Sequence, residues 1–281
     1  MVNNLSRKFE IVVAHYNEDL SWLQNRTTDC KVYAKGDLPT LSNNLRCMKL
    51  PNIGREGHTY LHHITTCYDQ LADITLFAQG RIDDHVAGSI DEIKDICLDM
   101  DQSQVLTFPS TDAVSTELIR FDEWDGIQWQ SHPSLDKWIA MDMKPAEQTP
   151  AMYFAQFLGN GKVPLSIGYT SGAVFAVSRQ LIQSYPVEFY KKLLDGMFLG
   201  CMKHVNPETG FYMERFWLAI WEPKEYICWS KAEISKSERN SRGELAKGRW
   251  RPIPGLKITS DQETDSHIDY FEQGKISLLS D

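Results

Sequence analysis

The chain has 281 residues, 42% of them hydrophobic and 24% charged, which suits a soluble protein of one large domain, or two small ones, with a sizeable core. Its 29 Lys and Arg against 38 Asp and Glu give a net charge of -9, so DNA and other polyanions gripped without regard to sequence are disfavoured partners. The first apolar run is only a few residues long and no later one approaches a membrane span of about 18, so a soluble, cytoplasmic protein without a membrane partner is expected, its six cysteines reduced and lacking any CxxC spacing.

In chain order, Phe9 to Ala14 (FEIVVA) predicts a buried strand, followed by the polar loop His15, Tyr16, Asn17, Glu18 and by Asp19 as a helix cap. Cys30 to Ala34 and Asn44 to Leu50 predict the second and third strands, closed by Lys35-Gly36 and by Pro51. A helix starting near Gly57 carries an apolar stripe through Tyr60, Leu61, Ile64, Tyr68 and Leu71 and delivers the chain to a fourth strand, Ala72 to Ala78, ending near Gln79. Past Gly80 stand Asp83, Asp84 and His85. Two hard oxygen donors and an imidazole beyond the carboxyl end of a strand suit a divalent metal facing a phosphate, and equally a solvated acidic turn.

Ser89 with Glu92 three residues on predicts a capping box and a helix to about Met100, and Gln104 to Phe108 another strand. Residues 122 to 152 break the pattern. This stretch holds Trp124, Trp129 and Trp138 and reads as a binding or lid loop, or as aromatic filling beneath one. Tyr169 to Arg179 predicts a strand of small residues whose Ser178 caps a helix running past Pro186 to Leu194. A further helix, Gly210 to Trp221, sets Glu214 and Arg215 among Phe211, Met213, Phe216 and Trp217, and Lys224 to Trp229 predicts a last strand. The alternation of strands and helices implies α/β class with a mostly parallel sheet. Beyond it, Lys231 to Arg251 carries seven basic residues against three acidic and reads as a mobile arm, then a polar tail with one short element near Ile268 to Phe271.

Two local patterns suggest chemistry. Glu214, among apolar neighbours, is a desolvated carboxylate suited to proton transfer, or one half of an ion pair with Arg215 or Arg55. His58, His62 and His63 set two imidazoles on one helix face as zinc helices do, but the glutamate of that motif is missing between them. Arg55, Glu56 and His58 are instead expected to line a cleft beside the acidic loop, where Gly57 would let backbone N–H groups approach a phosphate.

Three separated stretches resemble glycosyltransferases of the GT-A fold. IVVAHYNEDLSWL resembles their first strand and nucleotide-facing loop, and ADITLFAQGRIDDH stands where their acidic metal motif stands. SGAVFAVSRQLIQSYPVEFYKKLL with GFYMERFWLAIW resembles their acceptor-side strand, helix and late glutamate. The chain is also similar to an uncharacterised family of fungal and bacterial proteins with GT-A features, sharing VVAHYNEDLSWL, LPNIGREGHTYLHHI and TLFAQG over about residues 9–229.

The resemblance implies a GT-A-like, Rossmann-like domain over 9–229, a mixed but mostly parallel sheet flanked by helices, with the insert at 122–152 and the arm and tail at 230–281. It implies nucleotide-sugar-dependent glycosyl transfer. In that reading His15, Tyr16, Asn17 and Glu18 contact base and ribose, and Asp83, Asp84 and His85 hold Mn or Mg and the diphosphate. Arg55, Glu56, His58, Gln79 and Arg215 line the substrate, and Glu214 is the base or acceptor ligand. GT-A enzymes normally show Asp-x-Asp, where this chain has GRIDDH.

The family is also similar to arginine-containing cyclodipeptide synthases of fungi. These use aminoacyl-tRNA and are associated with two aspartates followed three residues later by a glutamate, a place held here by Ala87. In that alternative the acidic loop and Glu214 bind an arginyl side chain and the basic arm meets tRNA. A third reading is a GT-A-like binding protein without catalysis.

Overall fold

The structure, a computed structural model, describes residues 7–23, 29–39, 46–82, 89–108, 117–120, 143–164, 166–169, 172–199, 203–221, 225–228, 250–252 and 267–269. The acidic loop residues Asp83, Asp84 and His85, the tryptophans Trp124, Trp129 and Trp138, and nearly all of the basic arm lie outside these.

The strands are β1 Phe9–His15, β2 Asp29–Ala34, β3 Arg46–Lys49, β4 Ile74–Gln79, β5 Val105–Thr107, β6 Glu117–Arg120, β7 Lys162–Pro164, β8 Ser166–Tyr169, β9 Phe175–Ser178, β10 Glu225–Cys228, β11 Trp250–Pro252 and β12 His267–Asp269. The helices are α1 Arg55–Cys67, α2 Ile90–Leu98, α3 Pro150–Phe157, α4 Arg179–Ile182, α5 Val187–Gly196 and α6 Glu208–Trp221. One eight-stranded sheet runs β11-β10-β5-β9-β4-β1-β2-β3. Six of its strands are mutually parallel, while β9 and β11 oppose their neighbours. Two further pairs, β6 with β8 and β7 with β12, stand apart from it.

Strand alternation explains the layering. Val12, Phe77, Val105, Phe175 and Val177 turn to one face, where α1, α3, α5 and α6 bring Tyr60, Leu61, Tyr153, Tyr190, Phe216 and Trp217. Their neighbours Ile11, Val13, Leu76, Ala78, Leu106 and Ala176 turn to the other, which α2 covers with Ile90, Ile93, Ile96 and Cys97. A strand buried on both faces carries an apolar residue at nearly every position, as FEIVVA and ITLFA do.

Local chemistry sets several boundaries. Ser89 and Glu92 form the expected capping box at α2, and the Ser178 hydroxyl accepts from the Leu181 N–H at 3.0 Å to start α4. The stretch expected as one strand from Tyr169 to Arg179 is two elements. Gly172 has φ +87, outside the β region, so β8 ends before it and pairs with β6, while β9 begins after it in the main sheet. Helix α1 starts at Arg55, two residues before Gly57, and the segment after Asp19 makes only a short 3₁₀ turn, Ser21–Leu23. The end of the basic arm is β11, and the tail element is β12 on β7. Among the described residues no helix is long and apolar enough to cross a membrane.

Candidate functional site

The chain leaves β1 for β2 and β3 on one side and returns through α1 to β4 on the other, so strand order reverses between β1 and β4. In open α/β sheets the crevice beyond the carboxyl ends at such a reversal is where ligands bind. Four segments meet there: residues 15–18 after β1, residues 35–37 after β2, the turn 51–58 that opens α1, and residues 79–81 after β4. Because β9 runs against β4 and β5, its leading residues Gly172, Ala173 and Val174 arrive at the same edge.

After β1 the chain folds tightly back on itself. Asn17 takes a left-handed conformation, φ 61, and its Oδ1 accepts the Asp37 N–H at 2.6 Å. Gly36 makes room for it, since a Cβ there would lie 2.2 Å from Asn17 Oδ1. Glu18 Oε2 accepts the Tyr16 N–H and lies over Gly80, where a Cβ would come within 2.3 Å of that oxygen. Both glycines therefore seat a side chain of the 15–18 loop. Tyr16 is exposed and Gln79 half-buried, both open to the crevice.

His15 belongs to β1 rather than to the loop and is buried. Its Nε2 donates to the Glu18 carbonyl at 3.1 Å, which leaves Nδ1 as an acceptor with no hydrogen-bond partner among the described residues. His15 thus holds the loop from beneath.

The most consequential residue that the sequence reading passed over is Lys35. It is buried, and its ammonium donates to the carbonyls of Ile53, at 2.6 Å, and Arg55. Burial pushes it down to about 7, against the attraction of Glu56 and with the help of Arg55. A lysine near neutrality exchanges protons readily. In sequence it looks like the ordinary polar close of CKVYA; its burial comes from the turn 51–55 folding across it.

Helix α1 opens through two consecutive left-handed residues, Gly54 and Arg55, without a side-chain cap. Arg55 lies across α6. Its Nη1 donates to Asn206 Oδ1 at 3.1 Å, its guanidinium carbon sits 4.1 Å over the Phe211 ring, and its Nε is 3.6 Å from Glu56 Oε2. Glu56 and His58 are buried, and Glu56 Oε1 and His58 Nδ1 find no hydrogen-bond partner among the described residues. Burial, then the charges of Lys35 and His62, pushes His58 down to about 3, so its ring is neutral. Polar atoms buried without partners are uncommon in folded proteins and cost roughly 1–3 kcal/mol each.

Gly57 has a different place from the one expected. It is buried under α5 and α6, where a Cβ would lie 3.2 Å from Met197 Cε and 3.3 Å from Met213 Cβ, so its missing side chain serves helix packing rather than the approach of a phosphate. Of the three histidines, His58 and His62 do share a face, their ring centroids 6.1 Å apart, His58 packing also on Phe198 and His62 on Tyr33, while His63 points to Glu10.

Glu214 is half-buried on α6, and its Oε1 accepts the Gly172 N–H at 3.1 Å. Tyr60 holds the same loop from α1 by donating to the Ala173 carbonyl at 2.9 Å, and it feels the negative charge of both Glu56 and Glu214. Glu214 is thus tied to the loop that leads into β9 at this edge of the sheet. Arg215, the next residue, folds back to donate to the Phe211 carbonyl at 3.1 Å.

The described residues therefore gather Glu18, Lys35, Arg55, Glu56, His58 and Glu214 around one sheet edge, while Asp83, Asp84 and His85, next in sequence after β4, lie outside the described residues. No group of three metal-ligating side chains stands among the described residues. The family described as Protein of unknown function (DUF3431) matches residues 11–236. The chain belongs to that family. Its match takes in β1 from Ile11 on, the other five parallel strands and the six α-helices among the described residues, and its description carries no activity. A comparison with curated proteins finds no match.

Proposed function

We propose that this protein is a group transferase with a GT-A-like site, and that it transfers a glycosyl group from a nucleotide sugar. The observation that carries the reading is the convergence of buried, unpartnered polar atoms on the crevice where strand order reverses: His15 Nδ1, Glu56 Oε1 and His58 Nδ1. In this reading the loop His15, Tyr16, Asn17 and Glu18 contacts the base and ribose of the nucleotide. The uncapped start of α1 and Arg55 supply the positive end that a diphosphate needs. Asp83 and Asp84, with His85, are the donors for Mn or Mg, a hard-oxygen set with one imidazole. Bound there, the cation would neutralise the leaving diphosphate. Glu214, anchored through one oxygen to Gly172, has its second oxygen for an acceptor hydroxyl.

Thermal shift on the full chain tests the reading, using nucleoside diphosphates with and without manganese, and tRNA as the contrasting ligand. A nucleotide held at 100 times its dissociation constant stabilises by about 2.7 kcal/mol. A manganese-dependent shift that is lost in Asp83→Asn and Asp84→Asn is the expected result. Stabilisation by tRNA alone, lost when Arg239, Arg242, Lys247 and Arg249 become alanine, would replace the donor by aminoacyl-tRNA.

A further inference from the structure

Helix α1 carries a second cluster of ionisable groups at its other end. His63 and Cys67 stand one turn apart, above β1 and β2. His63 is fully buried, with Nδ1 3.0 Å from the Tyr33 hydroxyl and Nε2 3.2 Å from Glu10 Oε2. The other Glu10 oxygen meets Lys31 Nζ at 2.9 Å, and that same ammonium lies 3.5 Å from Cys67 Sγ. Thr66 Oγ1 is 3.8 Å from the sulfur. The groups come from three elements: a half-buried sulfur with the Lys31 ammonium beside it, His63 one helical turn back, and one carboxylate that meets both bases.

Each member is tuned by the others. Burial works to raise Glu10, but His63 and Lys31 more than offset it and hold the carboxylate below its ordinary range. Burial works to lower His63, but hydrogen bonding to Cys67 and Glu10 raises it overall. The thiol is drawn down to about 7, chiefly by hydrogen bonding to His63 and against burial, with the charges of His63 and Lys31 adding to the effect. The carbonyls of the last helical turn oppose a negative charge there, so the two cations must outweigh them. The other described cysteines go the opposite way: burial pushes Cys30 up to about 12 and raises Cys47 and Cys97. One thiol is singled out, and what singles it out is its neighbours.

We propose that Cys67 is a site of oxidation by hydroperoxides, its thiolate held by Lys31 and His63 while Glu10 orients both. In the step, the sulfur attacks one peroxide oxygen, an S–O bond forms and the O–O bond breaks. Sulfur gives up two electrons, and the departing oxygen takes a proton from the Lys31 ammonium, 3.5 Å from the sulfur, and leaves as water, or as an alcohol when the oxidant is an organic hydroperoxide. The product is a sulfenic acid beside a neutral amine, which regains its proton from solvent. No residue of the crevice takes part, so the site stands whether or not the transferase reading does.

The full-length protein is treated with hydrogen peroxide in the presence of a 1,3-dicarbonyl trap, and the labelled peptides are found by mass spectrometry. Iodoacetamide alkylation of the same protein is followed from pH 5 to 10. Cys67 is expected to label ahead of Cys47 and to alkylate with a midpoint near pH 7. At pH 7 such a thiol is about half ionised and one of ordinary acidity about 1%; the weaker intrinsic nucleophilicity of the more acidic thiolate removes roughly eightfold of that gain, leaving a rate advantage of about sixfold. Lys31→Gln removes one cation at the rim of the cluster and should move the midpoint upward. Labelling of Cys67 no faster than Cys47, a wild-type midpoint near 9, or an unmoved midpoint in a folded Lys31→Gln protein would each overturn the proposal.

Discussion

The ammonium of Lys35 donates to the Ile53 carbonyl at 2.6 Å, tying the end of β2 to the turn that opens α1. Because burial holds this lysine near 7 while the unfolded chain keeps its ordinary 10.5, the unfolded state binds more protons between those values. Stability should therefore rise with pH across that window, by at most about 1.4 kcal/mol per pH unit, and the full cost of the buried charge is present below pH 7. Urea midpoints at pH 6, 7, 8 and 9 measure it. The difference between wild type and Lys35→Met should change along that series, and a constant difference would mean that Lys35 keeps its ordinary acidity.

Gly80 and Gly36 are predicted to matter to the crevice more than to the fold. Neither has the positive φ that would strain an alanine, but the added Cβ collides with Glu18 in one case and with Asn17 in the other. Gly80→Ala and Gly36→Ala should each cost about 1 kcal/mol, the worth of one displaced hydrogen bond, and should abolish the nucleotide-dependent thermal shift. Retention of the full shift would show that the seating of Glu18 or Asn17 is immaterial to binding.

Glu214→Gln keeps an oxygen for the Gly172 N–H, so the melting temperature should hold. It removes the basic lone pair. If Glu214 accepts the acceptor's proton, steady-state rates of sugar transfer should fall on the order of 10²-fold or more with KM little changed. A fall in melting temperature with the rate preserved assigns Glu214 to the loop alone.

Phe77 lies on the face of β4 that packs against α1, its ring centroid 4.9 Å from that of Tyr60 and 5.2 Å from that of Phe175. Phe77→Ala should destabilise the protein by about 3–5 kcal/mol, the usual cost of emptying a fully buried aromatic site. Denaturant titration reads this directly, and a loss under 1 kcal/mol would mean that the neighbouring rings close the cavity.

Where one short segment dictates its own structure, the sequence was readable. The apolar runs of β1, β2 and β4, the Ser89–Glu92 capping box and the Ser178 cap depend on neighbours within four residues. What escaped depends on contacts between distant segments. Lys35 is buried by a turn some 18 residues away, and Gly57 is occupied by Met197 and Met213, so its glycine could be mistaken for a ligand-facing one. Glu10 did leave a trace: a carboxylate inside FEIVVA, in a strand buried on both faces, demands a partner, and Lys31 and His63 answer it. The strand boundary at Gly172 had only a glycine to signal it, between β-forming residues on both sides.

The antiparallel course of β9 also bears on how the protein is made. Strand β4 pairs with β1 on one side and with β9 on the other, and β9 is synthesised about a hundred residues after it. Until then Ile74 to Ala78, all buried in the finished molecule, form the open border of a half-built sheet. An apolar border of that kind recruits other chains, so a chain truncated before residue 175 is expected to aggregate rather than to form a smaller working domain.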